Sequence, residues 1–243
     1  MTNITYVTAL YSIETPDKRD HAKLDARIDL LKELFLLNIP IIAFLDPDYK
    51  DQYDFSMYSN VKILYKPLSF FLFWRLCKNP LHLPPMRNPG KDTQDFLALM
   101  NTKIEFVKEA LEYINTPNVA WIDASIYHII SNKEKVKEAL EKPVTLSNHR
   151  VRIPGPNSLT NRIEFEELFY RIQWKFCGGF FQGTKEGMCK FYERSYVTLI
   201  EWCNRGYLTW EVNLWIDMAQ ENPEVFEWVY GDHNDSMLLV NEP

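Results

Sequence analysis

A short apolar run near the middle of the chain constrains the fold more than any other stretch. Residues 119–122 read Val-Ala-Trp-Ile with no polar residue among them, and Asp123 follows at once. A strand with one face in water alternates polar and apolar residues, whereas an uninterrupted apolar strand is typical of a parallel sheet covered by helices on both faces. The run therefore predicts an α/β fold with this strand at its centre.

Two oxygen-bearing side chains follow this strand. Ligands of open α/β sheets lie just beyond the carboxyl ends of the strands, where Asp123 stands. Ser125 comes two residues later, so in an extended chain both side chains point the same way and could bind one hard cation such as Mg²⁺ or Mn²⁺. The alternative is that Asp123 only ends the strand and Ser125 caps the next segment.

Length and charge narrow the class of protein. The chain has 243 residues without repeats or linker-like stretches, which predicts a single domain over residues 1–243. The net charge of −6 disfavours nucleic-acid binding, because contacts with phosphate backbones need an excess of Lys and Arg. A small phosphorylated ligand remains compatible with this charge if a metal ion screens it.

Cysteine usage and hydropathy bear on the compartment. The four cysteines form no Cys-x-x-Cys pair and no Cys/His cluster with zinc-ligand spacing, which predicts reduced thiols and a cytoplasmic location. The N-terminus lacks the pattern of a secretory signal. No run of about 18 apolar residues is present, so we expect no transmembrane segment, although peripheral contact with a membrane stays open.

Periodicity and breakers predict the order of elements. The predicted strands cover residues 4–11, 41–45, 61–65, 119–122, 144–147, 225–230 and 236–240, with a further glycine-containing strand within 176–183. The predicted helices cover residues 18–37, 92–114, 132–141, 163–174 and 184–203, and a last helix begins after Thr209 as its cap. Residues 150–161 are predicted to be a polar loop.

Residues 68–90 combine aromatic residues with four prolines, a density that predicts irregular structure. One hypothesis is a lid or an acceptor-side segment over a site. The other is a packed surface loop with a hydrophobic anchor.

Other candidate residues also stand at strand ends or helix starts. Tyr11 ends the first strand, and His233 follows the strand at 225–230. Gly178 and Gly179 indicate either close approach of a ligand or a bulge. Glu211 falls in the first turn of a helix, a position that also has a structural explanation.

Absent motifs exclude several enzyme classes. The chain has no P-loop, no Gly-x-Gly-x-x-Gly after the first strand and no Gly-x-Ser-x-Gly elbow. A divalent-metal enzyme that uses a nucleotide-activated substrate survives this elimination.

Five short motifs in order resemble one bacterial family. They are Arg87-Asn88 with Lys91-Asp92-Thr93, Leu99-Met100-Asn101-Thr102-Lys103, Trp121-Ile122-Asp123-Ala124-Ser125-Ile126, Cys177-Gly178-Gly179-Phe180-Phe181 and Thr209-Trp210-Glu211-Val212-Asn213. Together they resemble the HtrL/YibB-like family, which is assigned to the glycosyltransferases. The resemblance implies a GT-A-like fold, in which one mixed, mostly parallel sheet flanked by helices binds a nucleotide-diphospho-sugar.

The resemblance also implies roles for particular residues. Asp123 and Ser125 stand where GT-A enzymes carry Asp-x-Asp, with Ser in place of the second Asp, and His233 resembles their C-terminal metal ligand. These three residues would hold Mn²⁺ or Mg²⁺. Gly178 and Gly179 resemble the glycines beside the donor sugar. The full set of residues expected to bind the donor is Thr8, Ala9, Leu10, Tyr11, Lys103, Asp123, Ala124, Ser125, Gly178 and Gly179.

Tyr11 could stack on the base, for which uridine is the expected nucleoside. Lys91, Asn101 and Lys103, by contrast, are predicted from helical position alone to lie on a solvated face.

The expected activity is transfer of a sugar from a nucleotide-sugar donor to a glycan or lipid-linked sugar acceptor. If the reaction inverts, a carboxylate must take the acceptor proton, with Glu211 as first choice and Asp217 in reserve. If it retains, residues 211–213 would hold the donor sugar. Two alternatives stay open, namely an inactive nucleotide-sugar-binding module and a metal-dependent phosphohydrolase.

Overall fold

One seven-stranded sheet forms the centre of the molecule in the computed structural model. The structure describes residues 2–13, 21–147 and 149–241; for residues 21–23 it describes the backbone but not the side chains. The strands are β1 (Ile4–Leu10), β2 (Ile41–Leu45), β3 (Val61–Tyr65), β4 (Asn118–Ile122), β5 (Val151–Gly155), β6 (Phe180–Thr184) and β7 (Phe226–Tyr230). Their spatial order is β3-β2-β1-β4-β6-β5-β7.

The sheet is mixed but mostly parallel. β1 pairs in parallel with β2 and β4, and β5 pairs in parallel with β7. β6 is antiparallel to both of its neighbours, β4 and β5, and within the described residues no other strand runs against the rest. β4 is the middle strand and is buried along its whole length. The structure thus confirms the fold class and the central position predicted for the apolar run.

Helices cover both faces of the sheet. They are α1 (His21–Phe35), α2 (Leu72–Leu76), α3 (Gln94–Asn101), α4 (Lys103–Ala110), α5 (Lys133–Glu141), α6 (Phe165–Tyr170), α7 (Lys185–Asn204) and α8 (Glu211–Glu221). α1 and α5 pack on one face, against residues such as Ala120 and Ile122 of β4. The remaining helices pack on the other face, against Val119 and Trp121. The uninterrupted apolar sequence of β4 follows from this double cover.

The predicted helix over residues 92–114 is divided at Thr102. The hydroxyl of Thr102 donates to the carbonyl of Ala98 at 2.8 Å, a back-bond to the preceding turn that tends to bend helices. α3 therefore ends at Asn101 and α4 begins at Lys103. The first helix begins at His21 where the structure describes it, and residues 18–20 of that prediction lie outside the described residues.

The predicted polar loop at 150–161 contains strand β5 instead, and residues 144–147 do not form a strand. The loop was predicted because Pro154 donates no ladder hydrogen bond, and a proline therefore argues against a strand. The ladder between β5 and β6 is confined to Val151 and Arg152, so Pro154 lies beyond it. The predicted strand at 236–240 is also wrong, since residues 235–237 form a 3-10 turn.

Residues 68–90 are less irregular than predicted. The proline-free first half forms a 3-10 turn at residues 68–70 and the short helix α2. Phe71, Phe73 and Cys77 are each at most 1% exposed, so this half belongs to the core.

In the described part of the chain, no helix combines the length and the apolar character needed to span a membrane.

Candidate functional site

A cavity of about 710 Å³ opens at the carboxyl edge of the sheet. β1 and β4 end there, and β6 begins there because it runs in the opposite direction. The topology thus brings the loop before β6 to the ends of β1 and β4. Of the residues predicted for the site, those that line the cavity are Ala9, Leu10, Tyr11, Lys103, Asp123, Ala124, Ser125, Gly178, Gly179, Glu211 and His233.

The ammonium group of Lys103 connects the polar groups of the cavity wall. It donates to the carbonyl of Gly178 at 2.8 Å and to Oε1 of Glu211 at 3.0 Å. It also lies 3.1 Å from Oδ1 of Asp123. The Lys103 side chain is only 3% exposed, so the predicted solvated position of this residue is wrong. Three elements that are distant in sequence therefore meet at one buried cation.

Burial alone would lower the pKa of Lys103, because it disfavours the charged amine. The carboxylates of Asp123 and Glu211 more than offset this effect, and the net result is a raised pKa. Lys103 is therefore a positive charge at neutral pH between two acidic groups.

Asp123 is held in place by neighbours on both sides. Its backbone N–H donates to the carbonyl of Gly179 at 2.9 Å, which extends the β4–β6 ladder by one step. Its Oδ1 accepts from the indole of Trp121 at 2.7 Å as well as lying next to Lys103. The Asp123 side chain is 37% exposed, so its carboxylate remains accessible from the cavity.

Glu211 lies at the start of α8, where Trp210 is the N-cap residue. Thr209, the predicted cap, instead donates its hydroxyl to the carbonyl of Leu168. The Glu211 carboxylate passes close to the backbone of Gly178, where an added Cβ would lie 2.2 Å from Oε1. Gly178 is therefore required for the close approach of this side chain and not for an unusual backbone conformation.

Two donor-site predictions, one on β1 and one directly after it, need correction. Thr8 is fully buried within the sheet and does not line the cavity. Tyr11 lines the cavity but is only 2% exposed; its ring stacks on Phe106 and its hydroxyl donates to the carbonyl of Lys66. The proposed stacking of Tyr11 on a base is therefore not supported, because this ring is part of the core.

Two further predicted residues have contacts outside the cavity. Oδ2 of Asp217 accepts from the indole of Trp202 at 2.7 Å, and Asp217 does not line the cavity. Asn213 donates to carbonyl groups of Leu168 and Arg171, which fixes α8 to the end of α6.

His233 lines the cavity on the side away from β1, in the segment that follows β7. Its Nδ1 lies 3.2 Å from Oδ1 of Asp232 and 3.9 Å from Sγ of Cys177. Trp174 packs edge-on against the imidazole, with ring centroids 4.5 Å apart. Burial, with the charge of Asp232, raises the pKa of the Cys177 thiol to about 12.

Several residues that line the cavity were not predicted as site residues from the sequence. Arg27 of α1, Asp92, Met86 and Trp174 all line the cavity. Arg27 lies on a helix, Met86 and Asp92 lie in the segment between α2 and α3, and Trp174 lies between α6 and β6. No local sequence pattern connects these three parts of the chain. The described lining contains three cationic side chains (Arg27, Lys91, Lys103) and three acidic ones (Asp92, Asp123, Glu211), so the cavity is balanced in charge although the whole chain is acidic.

Part of the predicted cation site fits a hard divalent ion. Asp123 and Ser125 both line the cavity, and the carboxylate of Asp123 is partly exposed there. Mg²⁺ is commonly held by one or two carboxylates together with phosphate oxygens of the substrate. Asp123 and Ser125 are therefore suitable ligands for an ion whose coordination is completed by a diphosphate. The Nδ1 atom of His233, the third predicted ligand, lies next to the side chains of Asp232 and Cys177.

No family model matches the chain, and no curated protein matches it. Among solved structures, the chain is similar to 4-diphosphocytidyl-2C-methyl-D-erythritol synthase from Anaerococcus prevotii, with a TM-score of 0.39 and 13% identity over 99% of this chain and 97% of the other. The bifunctional IspDF from Campylobacter jejuni gives a TM-score of 0.41 and 12% identity over 98% of this chain, which spans 52% of that protein. HddC from Yersinia pseudotuberculosis gives a TM-score of 0.34 and 14% identity over 76% of this chain and 78% of the other. Similarity at this level carries no argument about activity, which depends on the chemistry of the cavity.

Proposed function

We propose that this protein is a glycosyltransferase that moves a sugar from a nucleotide-diphosphate donor, a UDP-sugar, to a hydroxyl group of a glycan or a lipid-linked sugar. One observation carries the proposal. Asp123, Glu211 and the carbonyl of Gly178 converge on the ammonium group of Lys103 at the wall of the cavity. The cavity volume of about 710 Å³ lies within the range of about 300–1,000 Å³ typical of small-molecule sites.

The cavity can accept an anionic donor in spite of the acidic chain. Arg27 and Lys91 line it, and Lys103 offsets much of the charge of Asp123 and Glu211. Transfer of the sugar leaves negative charge on the departing diphosphate, and fixed positive groups stabilise that charge. A divalent cation held by Asp123 and Ser125 would supply further positive charge for the diphosphate.

Glu211 is the carboxylate that we propose acts on a sugar. Its side chain is 7% exposed at the cavity wall, and Lys103 fixes one of its oxygens. In an inverting reaction the carboxylate accepts the acceptor proton as the new glycosidic bond forms. In a retaining reaction it holds the donor sugar through hydrogen bonds.

An inactive binding module is the second candidate. Two observations favour it: Ser125 stands where the resemblance implies a second acid, and Oε1 of Glu211 is already engaged by Lys103. Such a module would bind the nucleotide sugar without hydrolysing or transferring it.

Donor binding tests both candidates at once. Calorimetry with UDP, GDP and CDP in the presence of Mg²⁺ or Mn²⁺ should show binding, and UDP should bind best. If no nucleoside diphosphate binds, the proposal is lost. Cleavage of simple phosphate esters without any sugar donor would instead indicate a phosphohydrolase.

The Glu211→Gln variant tests the role of the carboxylate. Gln retains an oxygen that can accept from Lys103, so UDP binding should persist. Turnover should fall by about a hundredfold or more if Glu211 is the base. Asp217→Asn is the matched control, because Asp217 contacts Trp202 outside the cavity, and its turnover should be unchanged. Equal turnover of Glu211→Gln and the parent would remove Glu211 from the mechanism.

A further inference from the structure

Three side chains with different metal-binding atoms meet beside the cavity. Cys177 precedes the Gly178–Gly179 pair, and Asp232 and His233 follow β7. Their donor atoms lie within 4.8 Å of one another, and they form the one such group of three or more Cys, His, Asp or Glu residues among the described residues.

Two of the three separations between donor atoms are close to the edges of a tetrahedral zinc site. Bond lengths of about 2.3 Å to sulfur and about 2.1 Å to nitrogen or oxygen give edges of roughly 3.6 Å between S and N and roughly 3.4 Å between N and O. The observed distances from Nδ1 of His233 are 3.9 Å to the sulfur of Cys177 and 3.2 Å to Oδ1 of Asp232. These two separations differ from the ideal edges by about 0.3 and 0.2 Å, and the sulfur of Cys177 and a carboxylate oxygen of Asp232 lie within 4.8 Å of each other.

The backbone around the three residues is already fixed. The N–H of Cys177 donates to the carbonyl of Pro154 at 2.7 Å, and the N–H of Gly231 donates to Gly155 at 3.2 Å. The N–H of Asp232 donates to the hydroxyl of Ser236 at 3.0 Å. Ligands held by such outer contacts lose little freedom when a metal binds.

We propose that Cys177, Asp232 and His233 bind one Zn²⁺ ion. A thiolate, an imidazole and a carboxylate together suit zinc better than Mg²⁺ or Mn²⁺, which prefer oxygen. Binding replaces the thiol proton, which passes to solvent. The fourth position is left for water or a cavity ligand, because His233 lines the cavity.

Sequence spacing could not reveal this site. Cys177 and His233 are 56 residues apart and belong to no Cys-x-x-Cys or His-x-His pattern. The antiparallel direction of β6 brings the start of β6 to the ends of β5 and β7, and this topology alone assembles the three ligands. The proposal does not depend on glycosyl transfer.

Zinc titration of the chelator-treated full chain, with a competing indicator dye, tests the site. We expect one bound Zn²⁺ per chain. The Cys177→Ser and His233→Ala variants should each weaken binding by at least about tenfold. Cobalt titration gives an independent readout, since Co²⁺ bound by the thiolate should show a charge-transfer band that Cys177→Ser abolishes.

The controls are a second cysteine and a second histidine. Cys189→Ser and His128→Ala should bind Zn²⁺ as the parent does, because neither residue belongs to the cluster. If Cys177→Ser fails to fold, Asp232→Asn at a more exposed position replaces it and should also weaken binding. No stoichiometric binding by the parent, or equal binding by the ligand variants, would overturn the proposal.

Discussion

At the scale of single residues, Gly178 and Gly179 are adjacent but meet different neighbours. A Cβ on Gly178 would lie 2.2 Å from Oε1 of Glu211, whereas one on Gly179 would meet Sδ of Met237 at 3.0 Å. Gly178→Ala must therefore displace Glu211 from Lys103, and we expect it to lower the free energy of unfolding by about 1–3 kcal/mol. Gly179→Ala meets the ends of flexible side chains, so its cost should be about 1 kcal/mol or less.

Urea unfolding of both variants measures this difference, and donor binding measures its effect on the cavity. If Gly179→Ala and Gly178→Ala lower the free energy of unfolding equally, the close contact between Glu211 and Gly178 does not limit the residue at position 178. Neither glycine has a positive φ, so backbone strain cannot produce the difference.

The sequence revealed residues whose position follows from local structure. Asp123 was predicted from the end of an apolar strand, and it does reach the cavity. The burial of Lys103 was not predictable in this way, because helical position alone indicates a solvated side chain. Only its two acidic partners, which lie 20 and 108 residues away along the chain, make a buried cation stable.

At the scale of elements, the segment 68–90 divides into a core half and a cavity half. Phe71 is fully buried and packs on Phe106 with ring centroids 4.5 Å apart. Met86 lines the cavity and is 62% exposed. Phe71→Ala should therefore cost about 3–5 kcal/mol in stability, whereas Met86→Ala should cost almost none and affect only ligand or acceptor binding.

Thermal unfolding and acceptor kinetics of these two variants separate the lid hypothesis from the surface-loop hypothesis. Unchanged acceptor kinetics in Met86→Ala would favour a surface loop. A small stability loss in Phe71→Ala would contradict the assignment of the first half to the core.

Strand and helix predictions succeeded where hydrophobic pattern alone decides the element. β2 and β3 were predicted with the bounds that the structure gives them. β5 was not predicted because proline is disfavoured inside a strand. The ladder between β5 and β6 ends before Pro154, and the sequence alone does not indicate where this ladder ends. The division of the long helix at Thr102 depends on one hydroxyl group, and the periodicity of apolar residues carries no information about that group.

At the scale of the whole molecule, buried phenols and the buried ammonium predict alkaline unfolding. Burial raises the pKa of Tyr6, and burial together with the charge of Asp46 raises the pKa of Tyr11. The pKa of Lys103 is raised as well. Each group therefore loses its proton first in the unfolded state, whose pKa values are about 10 for Tyr and about 10.4 for Lys.

The stability that these groups contribute is consequently complete below about pH 10 and is lost as the pH rises toward their folded-state pKa values. Each group lowers the free energy of unfolding by up to about 1.4 kcal/mol per pH unit in that range. Urea titrations between about pH 9 and 11 should show this decline.

Tyr6→Phe removes one titrating group and its hydrogen bond to Leu140, so it should lower stability at neutral pH yet make the alkaline decline less steep. Tyr230 is 67% exposed and serves as the control position, because folding removes little of its ring from water. If Tyr6→Phe and Tyr230→Phe leave the same alkaline slope, the buried phenol of Tyr6 is not a source of the decline.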